Sequence, residues 1–351
     1  MKFILLLSTM ACLIVGFTTC KTKTEPDVYI LGMNGTVWKN GTGKPIAEGK
    51  LIARDLFVDG DDVYVVGYEE VAEPVKDTCE WRPNIKPRYW KNGKAIALPI
   101  TRDKSLPAEV KTQRTLTSIH VEKGDVYVAG DDFEITNPAI YSRTAKYWKN
   151  GKEIRLTNGE NMKWVNAIFV GNKEVHVVGV LELEPPLSKA SSPVAMYWKN
   201  GEQIRLSGKN KNDLVASVYV SGQDVYVAGS GFEFPSIAKY WKNGKEVLLT
   251  DGTKDASASS VFVSGQDVYV AGRYGDKAVI WKNGKMIELS DGRSIMDANA
   301  IYVSGNDVYV VGSELSKALD VVTARYWKNG KQIKLSGNIN TEAIDVFVTR
   351  P

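Results

Sequence analysis

The chain has 351 residues, 43% apolar and 25% charged, with a formal net charge of +4. That is the composition of an ordinary globular protein with a large core, and it excludes a disordered or collagen-like chain. So small an excess of positive charge gives no global footprint for nucleic acid, and we expect no nucleic-acid partner.

Chain order begins with a leader. Lys2 is followed by a nearly unbroken apolar run from Phe3 to Phe17, too short to span a bilayer comfortably and typical of a secretory signal. Gly16-Phe17-Thr18-Thr19-Cys20 resembles a bacterial lipobox, although Phe17 and Thr19 stand where such sites usually carry Leu and Gly or Ala. The expected organisation is a signal peptide over 1–19, an acylated Cys20 with a short tether over 20–26, and one folded unit over 27–351. With Cys12 in the leader and Cys20 acylated, Cys79 would be the only free thiol, so no internal disulfide is expected.

From residue 27 onward one phrase recurs. Trp-Lys-Asn-Gly occurs seven times, beginning at Trp38, Trp90, Trp148, Trp198, Trp241, Trp281 and Trp327. Each copy is preceded by a Val-(Tyr/His)-(Ile/Val)-(Leu/Val/Ala)-Gly run, starting at Val28, Val63, Val126, Val175, Val225, Val268 and Val308. The clearest unit, Ser259 to Leu289, reads as four strands. Ser260 to Val263 is A, Val268 to Gly272 is B, Ala278 to Trp281 is C and Met286 to Leu289 is D. Asn283-Gly284 is a type I′ hairpin signal between C and D. Four short strands with a recurring Trp and Gly predict an all-β, seven-bladed β-propeller of four antiparallel strands per blade. The unit starts with a B strand at Asp27-Val28 and ends with an A strand at Ala343 to Val348. The two ends are therefore expected to share one blade in a 3+1 closure.

The arrangement resembles seven-bladed propellers of the WD40, Kelch and YVTN kinds in architecture, without their signature motifs. Its tandem Trp-Lys-Asn-Gly units resemble those of bacterial envelope lipoproteins. That resemblance covers residues 27–351 and implies a fold and an envelope location, with no established activity and no catalytic residues to carry over.

The two faces of such a ring differ. On the tight-turn face, an acid precedes each B strand (Asp27, Asp62, Asp125, Glu174, Asp224, Asp267, Asp307) and a lysine follows each repeat Trp. This predicts an inner acidic and an outer basic ring, either solvated turn charges or a surface for anionic headgroups. Lys21 to Pro26 spans only about 20–25 Å when extended, so this face is expected to look toward the membrane. On the opposite face, long B–C loops are expected at 69–86, 131–143 and 181–193, and a long D–A connection at 99–115. Tryptophans outside the repeat, Trp81 and Trp164, fall there. With them are Tyr68, Glu69, Glu70, Asp131, Asp132, Phe133, Glu134, Glu182, Glu184, Phe232 and Glu233. Aromatic rings beside carboxylates suit a sugar or a basic protein surface, and equally suit rings that plug their own loops.

The funnel is expected to be lined by the starts of the A strands. Aligning the copies puts Arg54, Thr117, Asn166, Ala216, Ser259, Asn299 and Ile344 at one position. Asp55, Ser118, Ala167, Ser217, Ser260, Ala300 and Asp345 follow at the next. Small residues there would let blades approach closely, and Arg54, Asp55, Asn166, Asn299 and Asp345 are the polar exceptions. The ligand-contact candidates are thus Trp81, Trp164, Tyr68, Arg54, Asp55, Asn166, Asn299 and Asp345. No catalytic residue, metal site or cofactor is expected. His120 takes the A-strand aromatic position and His176 the B-strand tyrosine position, so both are read as core aromatics. No zinc, nucleophile-elbow or phosphate-loop motif occurs. The functional expectation is a monomeric, membrane-tethered binding propeller that recognises an envelope protein or glycan through the loop face. A glycan-active enzyme using loop-face carboxylates and a purely structural scaffold are the alternatives.

Overall fold

In the computed structural model the described residues are 25–71, 85–98, 111–137, 140–157, 162–182, 193–208, 211–316, 321–337 and 340–349. They form twenty-eight strands in seven four-stranded antiparallel sheets, with no helix among them. Blade I contains β1 (Val28–Gly32), β2 (Thr36–Lys39), β3 (Thr42–Pro45) and the last strand, β28 (Ala343–Val348). Its order β28-β1-β2-β3 is the expected 3+1 closure. Val28 pairs with Val348 and Leu31 with Asp345. The two ends are tied further by mutual hydrogen bonds of Asp27 and Thr349 at 3.0 Å. Blades II to VII follow in sequence, and their A strands start at Leu51, Lys111, Met162, Asp213, Ala256 and Ile295.

The core is divided among the junctions between blades. Seven apolar clusters occur among the described residues, each shared by two adjacent sheets. Each repeat Trp packs against the preceding blade: Trp241 joins Val178 and Val180 of blade IV, and Trp281 joins Tyr226 and Ala228 of blade V. A bulky, rigid ring at each junction fills the wedge that opens between twisted sheets as they splay outward.

The repeat glycine at the end of each B-strand phrase answers to a second feature. Every A strand carries a β-bulge opposite it, at Arg54, Thr117, Asn166, Ala216, Ser259, Asn299 and Ile344. The bulge pushes an A-strand carbonyl against the B strand. A Cβ on Gly67, Gly130, Gly229, Gly272 or Gly312 would lie only 1.8–2.2 Å from that oxygen. The glycine is required for space.

The tight turns are clasps. In each Trp-Lys-Asn-Gly turn the Asn has φ of 49–54° and the Gly 76–89°, the type I′ pair expected. In blade V, Asn243 Oδ1 accepts the Val225 N–H at 2.8 Å, and its Nδ2 donates to Asp224 at 2.7 Å. Lys242 pairs with the other Asp224 oxygen at 2.8 Å and lies over the Tyr226 ring. All seven turn lysines pair this way with the acid of their own blade, at 2.7–3.0 Å. The expected separate acidic and basic rings are therefore one ring of neutralised pairs. Two loop expectations also change. Residues 131–137 and 140–143 belong to extended strands, β9 (Asp125–Asn137) and β10 (Ile140–Lys149), and the A strand expected after a 99–115 connection already begins at Lys111. Residues 72–84 and 183–192, which hold most of the other two long B–C loops, lie outside the described residues.

Gly272→Ala is expected to lower the unfolding free energy by about 1–3 kcal/mol through overpacking. Gly231→Ala, whose Cβ would meet nothing nearer than 3.8 Å, is expected to change little. Urea denaturation of the two variants checks the bulge argument.

Candidate functional site

Alternation along the A strands decides what faces the axis. In β4 (Leu51–Asp59), Ala53, Leu56 and Val58 are buried between blades, while Ile52, Arg54, Asp55 and Phe57 are not. The bulge places two successive residues, Arg54 and Asp55, on the axial side. The same pattern in the other blades stacks four rungs along the axis: a mouth rung, a bulge rung, a second polar rung and an aromatic rung. A cavity of about 880 Å³ follows the axis from the bulge rung past the aromatics to Asp59–Asp61 and Glu122–Lys123.

The aromatic rung is continuous. Phe57, His120, Phe169, Tyr219, Phe262, Tyr302 and Phe347 form a closed circuit with neighbouring ring centroids 4.5–5.3 Å apart. Their interplanar angles of 38–60° add to about one full turn, so the planes stand parallel to the axis. The spacing is less than the width of a phenyl ring, so the rings stand edge-on like the leaves of an iris. Their centres lie about 5–6 Å from the axis, and the opening left is about one water molecule wide.

Above the iris, the second polar rung links the blades. Its side chains accept the backbone N–H that follows the bulge in the next blade. Leu56 N–H reaches Asp345 at 3.0 Å, Ile119 reaches Asp55 at 2.8 Å, and Ile168 reaches Ser118 at 3.2 Å. Val261 reaches Ser217 at 3.5 Å and Ile301 reaches Ser260 at 3.4 Å. The serines expected there for their small size are thus also acceptors. Asp55 takes the Ser118 hydroxyl at 2.6 Å and is hydrogen-bonded to Asp345. Burial raises both carboxyls, and the Asp55 charge drives Asp345 well above the usual range, so the pair shares a proton. Carboxyls in direct contact leave no room for the nucleophile or water that separates the paired acids of a glycosidase.

The bulge rung carries Arg54, Thr117, Asn166, Ser259 and Asn299. Asn299 Nδ2 donates to the Ala343 carbonyl at 2.9 Å, and Thr117 donates to the Ala129 carbonyl at 3.3 Å. Asn166 Oδ1 is buried with no partner. Arg54 is exposed, and its guanidinium sits 5.7 Å from the Tyr68 ring centre. Tyr68, expected among the ligand contacts, is instead buried, and its hydroxyl accepts the Leu116 N–H at 3.2 Å. Trp164 lies in β12 (Met162–Gly171) on the mouth rung, half-buried against the apolar cluster of blades IV and V. Trp81 and Cys20 lie outside the described residues.

Two of the expected loop-face acids, Asp131 and Asp132, are absorbed into the blades. Asp132 is buried, with Arg114 at 2.6 Å and Lys146 at 2.6 Å, and those cations hold it below the usual range against the opposing effect of burial. Asp131 faces Arg143, which also covers Phe133. Glu69 pairs with Arg88. Two features were missed in the sequence. One is the acid pair of the mouth rung, Asp297 and Glu342, both raised by burial, with Glu342 raised further by Asp297. The other is Phe234, 87% exposed beside Phe232 at 47%. Two phenylalanines flanking an acid before a proline in a short loop would have been the signal.

No protein-family model matches the chain. No curated protein sequence matches it. Among solved structures it is similar to a Mycobacterium tuberculosis puromycin-hydrolyzing peptidase, with a TM-score of 0.54 and 10% identity over 86% of this chain and 50% of that one. It is also similar to the acylaminoacyl peptidase of Pyrococcus horikoshii, with a TM-score of 0.43 and 10% identity over 83% of this chain and 45% of that one. The chain spans about half the length of either, and at such identity the likeness is one of fold alone.

Two titration outcomes follow from the funnel. Burial pushes His120 down to about 3, so it is neutral in the fold and charges on unfolding below about pH 6.5. Stability that is full above that value is lost as pH falls, by up to about 1.4 kcal/mol per pH unit. His120→Phe is expected to flatten this acid limb in urea titrations between about pH 6 and 4. Asp345→Asn acts on the opposite side. The raised carboxyls favour the fold at low pH and oppose it as pH climbs through their folded values. The variant gives up one of the two amide acceptors of Asp345, so it is expected to melt below the parent at about pH 5, with the deficit shrinking as pH rises toward 8 and the parent loses the stability of its raised carboxyls.

Proposed function

We propose that the protein is a non-enzymatic recognition propeller, tethered to the bacterial cell envelope through Cys20, that holds a partner protein on its loop face. The observation that carries this reading is the Gly231–Ile237 loop. Its base is braced: Gly231 N–H donates to the Ile237 carbonyl at 3.0 Å and Phe232 N–H to the Asn212 carbonyl at 2.9 Å. Ser236 binds Asp255 of blade VI through its hydroxyl at 2.6 Å, and Arg273 holds that same Asp255 at 3.0 Å. On this frame Phe232 and Phe234 stand out in solvent with Glu233 exposed between them. Aromatic anchors held by a rigid loop lose little entropy on docking and make effective hot spots. The carboxylate fits a partner cleft edged by a basic residue and is repelled by an anionic bilayer.

The tether supports the same orientation. Asp27 begins the first blade on the tight-turn face, and six residues cannot carry the loop face down to the membrane that anchors Cys20. The lysine of each Trp-Lys-Asn-Gly turn is matched by the acid of its own blade, so these pairs add no net charge for an anionic bilayer, and the lipid would be the main anchor.

Two measurements test this. Metabolic palmitate labelling is expected to mark the parent and to lose Cys20→Ala; an unlabelled parent overturns the anchor. A photo-crosslinking phenylalanine analogue at position 234 in intact cells is expected to give one discrete adduct. That adduct should disappear when Phe232→Ser or Glu233→Lys is added. Crosslinks insensitive to both substitutions, or confined to lipid, overturn protein docking.

A further inference from the structure

The lysine inside each Trp-Lys-Asn-Gly turn is committed to the acid of its own blade, but the residue just after the turn is not. That residue opens the D strand, and in five blades it is a second lysine: Lys94, Lys152, Lys245, Lys285 and Lys331. All five are exposed, and none makes an ion pair or side-chain hydrogen bond among the described residues. Each stands directly opposite the turn lysine of its C strand, Lys245 opposite Lys242, Lys285 opposite Lys282 and Lys331 opposite Lys328. Like charges in opposed positions weaken a strand pair. Blade I has Thr42 at this place and blade IV has Glu202, so the turn itself does not require a second lysine.

The neighbouring turns decide where the charge accumulates. In blade II the A–B turn carries Asp59 and Asp61, which offset Lys94, and in blade IV Lys173 offsets Glu202. In blades V, VI and VII the A–B turns read Ser221-Gly222-Gln223, Ser264-Gly265-Gln266 and Ser304-Gly305-Asn306. With the clasp acids already paired, Lys245, Lys285 and Lys331 each leave one uncompensated positive charge. Lys152 leaves another in blade III, beyond the neutral turns of blade IV. The sector of blades V to VII adjoins blade I, where the chain enters at Asp27. Equivalent positions in successive blades stand at one height around the axis, so the three charges share a plane, and two-residue turns keep that face flat. Lysine is depleted at protein interfaces. A flat array of free cations fits an extended plane of anionic headgroups, where each lysine is worth about fivefold in partition.

We propose that the tight-turn face of blades V to VII rests on an anionic bilayer, with Lys245, Lys285 and Lys331 as its contacts. This deepens the membrane-tethered reading and rests on it for the orientation of the ring. It adds a preference for headgroup charge that the lipid anchor alone does not have.

The test mixes the full chain with vesicles of phosphatidylcholine alone, or of phosphatidylcholine with about one third phosphatidylglycerol. Acylation of each lysine by an N-hydroxysuccinimide ester is read by mass spectrometry. Whatever holds the N-terminus to lipid acts in both vesicles alike, so the difference between them reports headgroup charge, while the palmitate label separately decides the anchor. Phosphatidylglycerol is expected to slow acylation of Lys245, Lys285 and Lys331 several-fold, with the protection fading at high salt. Lys254, on the D–A connection of the loop face, is expected to react equally in both. The combined variant Lys245→Gln, Lys285→Gln, Lys331→Gln is expected to lose on the order of a hundredfold of the phosphatidylglycerol-dependent partition. It is also expected to melt no lower than the parent, because three like-charge neighbours are relieved. Equal acylation in the two vesicles, protection that extends to Lys254, or an unchanged partition of the variant overturns the proposal. A variant that melts below the parent gives the lysines a structural task and overturns it too. So does protection in intact cells that no anionic vesicle reproduces, which makes the partner an acidic protein.

Discussion

Seven strands must converge on one axis, and each brings backbone amides that need partners. This constraint organises the rest of the molecule. Within a blade the ladder satisfies the A strand on one side only, because its other edge faces the funnel and the next blade. The bulge answers by turning two successive side chains axially and aiming the following N–H at the neighbouring blade. That neighbour supplies an acceptor from its own bulge: Asp345 for Leu56, Asp55 for Ile119, Ser118 for Ile168. The same distortion drives a carbonyl into the B strand, which is why the phrase must end in glycine at Gly67, Gly130, Gly229, Gly272 and Gly312. A feature that reads as a sequence signature is thus a consequence of geometry at the centre of the ring.

The outer half of each blade solves a different problem with different residues. Trp fills the widening junction, and the Asp–Lys–Asn clasp locks the turns. Blade IV shows how far the clasp tolerates change. Glu174 replaces the aspartate and still pairs with Lys199 at 2.8 Å. His176 replaces the tyrosine and turns to the Tyr197 hydroxyl at 2.7 Å, with burial pushing the imidazole down to about 4. Both histidines of the chain are therefore neutral members of a scaffold, one in the iris and one behind a clasp.

The fold was legible because seven imperfect copies average out the noise of any one of them. The strand order, the closure through β28 and the funnel positions of Arg54, Asp55, Asn166, Asn299 and Asp345 all follow from aligning the copies. Pairing across blades was not legible. Nothing in the local sequence joins Asp55 to Asp345, 290 positions away by the sequence numbering, or tells that Lys146 and Arg114 converge on Asp132. Periodicity reports which side of a strand a residue occupies and is silent on which neighbour it meets. That is why Tyr68 and the loop-face acids looked available: each sits at the end of a strand, where alternation continues into either a solvent-facing loop or an extended hairpin such as β9–β10. Phe234 escaped for the opposite reason. It belongs to no periodic element, and only its exposure on a braced loop distinguishes it.

The use of two aspartates where other blades have serine or alanine has a physical reason in the closure. Blade VII offers Ala300 at this rung, which has no acceptor for the Val346 N–H of the closing strand. Asp345 takes that amide on one oxygen at 2.8 Å and the Leu56 amide on the other at 3.0 Å, a double duty beyond a serine hydroxyl. Asp55 repeats the device, taking the Leu56 amide on one oxygen and the Ile119 amide and Ser118 hydroxyl on the other. Two carboxylates so placed would repel, and one shared proton converts the repulsion into a hydrogen bond. The blade made from both ends of the chain therefore carries the densest network around the axis. The two acids that stand out as polar exceptions in the alignment are the fastening of the ring, and the wall groups left over, Asn166 and Ser259 among them, are those the fastening does not use.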